Sequence, residues 1–219
     1  MLMIDVEVSL EVLSETPVSV GAGGSAGTLA DKVIARDSRN RPIIPGSQVK
    51  GRVRHAAEAI ARSLGLRVPR SFDDNTDTVI RRIFGSPQYR APLHFTSLVG
   101  VIGEPSQIGP EQRLSHIRPS VAINRRRGTA DDERLLFQET ALEGMVFAAR
   151  PAIVGTLPDI EHLALLWAAL RAVDRWGGAK SRGLGWATTR MQVIVNGQPQ
   201  HDDDLEAALR SLVKRGEGQ

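Results

Sequence analysis

Two short stretches carry the residue types most suited to chemistry. Pro42-Ile43-Ile44-Pro45-Gly46-Ser47-Gln48-Val49-Lys50-Gly51-Arg52-Val53-Arg54 joins a glycine turn to cations at the start of a helix. Gly177-Gly178-Ala179-Lys180-Ser181-Arg182-Gly183-Leu184-Gly185 sets a lysine, a serine and an arginine between glycines. Open N–H groups at a helix start, with Ser47, Lys50 and Arg54 beside them, suit a phosphate. Lys180, Ser181 and Arg182 lie where a glycine backbone lets a ligand approach closely. Two such devices in one chain point to a polyanion rather than to one small anion. Arg125-Arg126-Arg127-Gly128 is a third basic run, of a kind often merely solvated.

The elements that must position these residues follow from periodicity. Ile4, Val6, Val8, Leu10 and Val12 alternate with Asp5, Glu7, Ser9 and Glu11, so residues 3–13 read as a half-buried strand. A glycine-rich loop at 21–27 then runs into Asp31. Ser47 reads as the N-cap of a helix reaching about Leu64, with Val49, Val53, Ala56, Ala57, Ile60 and Leu64 as its apolar stripe. Lys50 and Arg54 are four apart and share a face. Residues 66–90 read as a loop, with the acidic pair Asp73-Asp74 and a short helix around Thr78–Ile83. Residues 93–102 form a strand. Residues 103–133 are polar and too long for a connector, which implies a functional insertion. Met145–Val154 is a strand, Pro158–Trp176 a helix stopped by Gly177, Ala187–Val195 a strand, and Asp202–Lys214 a terminal amphipathic helix. The order is βαββαβ, which predicts a ferredoxin-like (RRM-like) α+β fold as a single domain over 1–219.

Composition narrows the function. The formal charge is only +3, with 25 acidic residues, so any basic surface must be a local patch. Cysteine is absent, which removes disulfides, thiolate catalysis and cysteine-based zinc sites and fits a reducing cytoplasm. No run approaches the ~18 apolar residues of a membrane span, and no leader pattern opens the chain. His55, His94, His116, His162 and His201 have no metal-ligand spacing, so no structural zinc is expected. Aromatics make up 4%, too few for the stacking sheet of common RNA-recognition domains, so bound RNA should be held mainly through its backbone. Trp167 and Trp176 read as core, Asp37 as a turn residue, and Glu139 as a partner for an arginine of the insertion.

Ile44-Pro45-Gly46-Ser47 through Lys50-Gly51 and Arg54, then Phe84-Gly85, then Ile123 to Ala130 leading to Phe137 and Glu139, then Gly177-Gly178 to Gly185, together resemble the RAMP superfamily of CRISPR systems. The resemblance spans about residues 3–195. The approach from Asp31 and Asp37 to the Pro-Gly-Ser motif is most similar to the backbone subunit of type III effector complexes. Asn124 stands where many relatives carry an acid. The resemblance implies a subunit that polymerises along a guide RNA beside copies of itself, paralogous RAMP subunits and other effector subunits. It implies a protruding thumb at 103–133, with Arg125, Arg126 and Arg127 contacting RNA. It also implies that Asp31 cuts the paired target RNA with Mg²⁺ or another divalent cation, Asp31 holding the metal. A non-catalytic structural subunit and a guide-processing endoribonuclease are the alternatives, the latter commonly relying on a histidine base.

Overall fold

The computed structural model describes residues 3–21, 30–71, 76–102 and 114–216, with only the backbone described at 131–134 and 215–216. The glycine-rich loop after Gly21, the Asp73-Asp74 pair and the first part of the expected insertion, 103–113, lie outside the described residues.

The alternation at the N-terminus forms β1 (Ile4–Ser14), which buries Val6, Val8, Leu10 and Val12 and leaves Asp5 and Glu7 outward. It is the middle strand of an antiparallel sheet. β7 (Val146–Leu157) flanks it on one side and β8 (Ala187–Val195) on the other. Beyond β7 lie β4 (Leu98–Val101) and then β2 (Ile43–Ile44). β3 (Leu93–Phe95) pairs with the far half of β7, and β9 (Gln198–Pro199) extends the β8 edge. The spatial order β4-β7-β1-β8, with helices α1 (Gly46–Ser63) and α3 (Ile160–Ala172) in the two crossovers, is the expected ferredoxin-like arrangement.

Several expected boundaries move for physical reasons. The strand read at 93–102 is two pieces. It breaks at Thr96-Ser97, where the Ser97 hydroxyl accepts the Gly46 N–H at 3.3 Å and the start of α1 presses on Phe95. Ser47 is not the N-cap: Pro45 holds that place, no side chain caps the helix, and Ser47 lies exposed one residue inside. The buried stripe is Val49, Val53, Ala57 and Ala61, with Leu64 already the C-cap. α2 (Val79–Phe84) forms as read, with the Thr78 hydroxyl accepting the Arg81 N–H. Gly177 does not stop α3, which ends at Ala172 and turns into an extended segment where Arg175 bridges Trp186.

α3 buries residues almost all round, among them Leu163, Leu166, Trp167 and Leu170. It can do so because α1 packs on one side and α4 (Asp202–Gly216) on the other. Asp202 at the start of α4 accepts the Trp167 indole N–H at 3.0 Å. Trp176 is fully buried, so both tryptophans are core, as read.

The insertion is an antiparallel hairpin of β5 (Ser115–Asn124) and β6 (Thr129–Ala141), which runs past residue 133 and includes Phe137 and Glu139. Its tip is the arginine run. The Asn124 side-chain oxygen accepts the Arg126 and Arg127 N–H groups at 3.1 and 3.2 Å, and Gly128 turns at φ +67°.

Gly185 makes a direct test of the packing. At φ +83° an added Cβ would stand 1.9 Å from the Trp176 carbonyl oxygen. Gly185→Ala should therefore lower unfolding free energy by about 3 kcal/mol or more, read as a shifted urea midpoint. A midpoint equal to wild type would contradict this packing.

Candidate functional site

Asp31 is held where backbone and side chain both engage β6. Its N–H donates to the Phe137 carbonyl at 2.9 Å, and its Oδ2 accepts the Phe137 N–H at 2.8 Å. The following residues continue this docking. The Glu139 N–H donates to the Lys32 carbonyl, and the Ala35 N–H donates to the Val20 carbonyl at 2.7 Å. The segment is thus clamped between 18–21 and β6, while the Asp31 carboxylate remains exposed. Oδ1 has no protein partner among the described residues.

A side-chain network locks the same segment. Glu139 accepts from the Ile34 N–H at 3.0 Å, from Arg36 at 2.5 Å and from the Ser115 hydroxyl at 2.6 Å. Its partner is therefore Arg36, in the Asp31 segment, and not an arginine of the insertion. Burial pushes the Glu139 carboxyl up, but these hydrogen bonds and the Arg36 charge outweigh it and hold the group below its ordinary range. Asp37 is a turn residue, as read. Burial pushes its carboxyl up, but it accepts the N–H groups of Arg39 and Arg41 and the Arg41 guanidinium, and together these outweigh burial and hold it low.

The second glycine stretch closes the other wall. An added Cβ on Gly177, at φ +83°, would strike the Ser19 carbonyl oxygen at 2.5 Å, and the Gly178 N–H donates to that oxygen at 2.6 Å. The Gly185 N–H donates to the Pro17 carbonyl at 3.0 Å. The glycines thus tie this loop to residues 17–19, directly beside the Asp31 segment. Between them is an open cleft of about 830 Å³, lined by Asp31, Lys32, Gln138, Ala179, Ser181 and Arg182 among others. Gln138 closes its floor by donating to the Ser19 hydroxyl at 2.5 Å. Arg182 reaches the hairpin at Ser120, 3.5 Å away.

The remaining sequence candidates sort differently. Lys180 does not line this cleft. Burial and the charges of Arg52 and Arg175 depress its ammonium, with Asp174 opposing. Gly46, Ser47 and Lys50 line a second cleft of about 750 Å³ with Arg90 and His94. Gly46 also has a packing reason, since an added Cβ would lie 2.0 Å from the Phe95 carbonyl oxygen. Arg54 does not line that cleft. Its side chain, 17% exposed, pairs with Glu58 at 2.9 Å and donates to the Gly85 carbonyl at 3.3 Å. Arg125, Arg126 and Arg127 stand at the hairpin tip, apart from both clefts. Among the described residues no three carboxylates or histidines gather around a possible metal ion. Asp31 fits a cation only as a single carboxylate anchor, a mode that hard ions such as Mg²⁺ accept when water and phosphate complete their shell. His162 is buried against Asp159, and no histidine lines the Asp31 cleft.

Sequence reasoning missed Arg36, Arg52, Arg175, Ser19 and Gln138. Arg52 alone stood inside a motif already singled out. The others meet the site through contacts distant in sequence.

The profile of the RAMP superfamily matches residues 12–188, a span that contains the end of β1, both clefts, the hairpin and the glycine loop. Nothing matches in a comparison with curated proteins. The chain belongs to the RAMP superfamily. It is therefore a CRISPR-associated RNA-binding protein that assembles with other CRISPR subunits, from a superfamily that includes some RNases. Among the described residues no helix is long and apolar enough to cross a membrane.

Glu139→Gln should separate the network from ordinary packing. At neutral pH it should destabilise the protein by about 1–3 kcal/mol, as expected for hydrogen bonds to a charged group. The folded carboxyl titrates below its unfolded value. Its stabilisation is therefore complete above the ordinary carboxylate range and is lost as pH falls through the folded pKa. The stability gap between wild type and variant should close toward acid pH in denaturant titrations. A constant gap would mean that the charge at Glu139 contributes nothing.

Proposed function

We propose that this chain is the backbone subunit of a type III CRISPR effector complex, binding guide RNA along its clefts and cleaving paired target RNA at Asp31. The observation that carries the reading is the exposed carboxylate of Asp31, fixed by Phe137 and facing Ser181 and Arg182 across one open cleft. A carboxylate anchored by one oxygen keeps the other directed at a ligand without reorganisation. Arg182 and Ser181 supply donors for phosphate oxygens on the facing wall.

In this reading Asp31 would hold Mg²⁺ or another divalent cation, which supplies neutralisation of the charge that builds on the scissile phosphate. The chain's own residues do the positioning. Phe137 and Glu139 fix the Asp31 segment, and the glycine loop brings its cations within a cleft's width of it. The attacking group is the RNA 2′-hydroxyl or a water in line with the phosphorus. Ser47, Lys50 and Lys180 are further contacts for the guide backbone, and the hairpin with Arg125, Arg126 and Arg127 is the thumb that reaches target RNA or a neighbouring copy. Arg54 is a further phosphate contact in this reading, reached by giving up part of its engagement with Glu58 and the Gly85 carbonyl. The protein would act in the cytoplasm with guide RNA, target RNA, copies of itself or paralogues, and other effector subunits.

That the Asp31 carboxylate stands alone among the described residues favours one second reading, a structural subunit of the same kind of complex that lacks nuclease activity. Asp31→Asn separates the two, since it keeps an acceptor for the Phe137 N–H and removes the charge. Assembled on guide RNA with Mg²⁺ and labelled complementary RNA, the variant should cut about 100-fold more slowly or worse, consistent with the loss of several kcal/mol of charge stabilisation. Guide binding should be unchanged, and EDTA should stop wild-type cutting while leaving the assembly intact. Cutting by the variant at the wild-type rate would remove Asp31 from the chemistry and favour the structural reading.

A further inference from the structure

The chain has three tryptophans, and they differ sharply in setting. Trp176 is fully buried and Trp167 is 7% exposed, each with its indole N–H donated to a side chain, Thr189 and Asp202 respectively. Trp186 is 39% exposed. Its indole N–H has no partner among the described residues. Its backbone is nevertheless firmly held. The N–H donates to the Thr16 hydroxyl at 2.9 Å, and the carbonyl accepts from Glu15 at 2.8 Å. The ring is fixed at the surface immediately after the glycine loop, where it fills no core. Above it lies the Arg175 guanidinium, 4.2 Å from the ring centroid.

Arg175 also belongs to a cationic cluster. Arg52 on α1 donates through Nη2 to the Arg175 carbonyl at 3.0 Å, and its Nε is buried without a partner among the described residues. Lys180 feels the charges of both arginines. Asp174, 3.7 Å from Arg175 and itself more than half exposed, is the acid that opposes them. Among the described residues, three cations against one weakly held carboxylate are an unbalanced group, and an incoming phosphate would relieve it.

We propose that Trp186 and Arg175 form a stacking platform for one base of a single-stranded RNA, while Arg52, Arg175 and Lys180 take an adjoining phosphate. The proposal rests on the reading of the chain as an RNA binder. It goes beyond that reading by adding a base contact to a surface otherwise suited to backbone contacts. A fixed indole backed by a guanidinium plane offers an extended π face, which accepts any base. The unpartnered indole N–H can reach a base or ribose acceptor at the ring edge.

Trp186 also supplies its own reporter, because the other two tryptophans are shielded. The full chain is titrated with an oligoadenylate and with an abasic ribose-phosphate oligomer of equal length, and tryptophan emission is followed beside an independent binding signal. Oligoadenylate should quench the exposed component, and the abasic oligomer should bind without quenching. Trp186→Leu should weaken oligoadenylate binding by roughly tenfold, within the range for one lost base–aromatic stack, and leave abasic binding as it was. Trp186→Phe, which keeps a ring beneath Arg175, should restore most of the affinity. The buried tryptophans report in each variant that the core remains folded. Binding of both oligomers with unchanged emission, or equal weakening of both in Trp186→Leu, would overturn the platform alone. Binding of neither oligomer would overturn the RNA-binding reading and the platform with it.

Discussion

The site depends on one docking event, the pairing of residues 31–35 with β6. Asp31 exchanges two backbone bonds' worth of contacts with Phe137, one of them through its carboxylate, and Glu139 then fastens Ile34 and Arg36. Residues 30–36 have little intrinsic structure of their own. They are ordered because β6 offers N–H and carbonyl groups that would otherwise lack partners on that side. The hairpin therefore does more than project its arginine tip outward. Its base is the template on which the candidate catalytic residue is laid, so the hairpin and the cleft form one structural unit.

The glycines of the second stretch act by a related constraint. Gly177 and Gly185 adopt positive φ, and each places its Cα against a carbonyl oxygen that a side chain would displace. Close approach to Ser19 and Pro17 is what carries Ser181 and Arg182 to the cleft and sends Lys180 toward Arg52 and Arg175. Electrostatic assets are thus distributed by backbone packing. One face of the loop serves the Asp31 cleft, and the other builds a compact positive group against α1.

Much of this was legible in the sequence where local periodicity decides structure. The alternation at 4–12, the stripe from Val49 to Ala57 and the closing strand at 187–195 map directly onto β1, α1 and β8. The strand–helix order led to the correct fold class. Tertiary contacts account for what local pattern did not reveal. Ser47 lost the cap to Pro45, and the 93–102 strand broke because the start of α1 abuts Phe95. Gly177 looked like a helix stop but serves an approach to Ser19. Glu139 found Arg36 across 103 residues of sequence, a pairing no spacing rule could show. Arg54 also meets Glu58, one turn on, a pairing that the phosphate reading did not anticipate.

The central claim is that RNA runs through the cleft between the Asp31 segment and the glycine loop. Photo-crosslinking tests it most directly. The protein is bound to guide RNA and a complementary target RNA, each in turn carrying 4-thiouridine at successive positions, irradiated and digested, and the crosslinked peptides are identified. The account predicts adducts on 31–33 and on 178–186, with β6 peptides around Gln138 beside them. Adducts confined to the open face of the sheet, at Glu7, Glu11, Arg150 and Arg190, would contradict it.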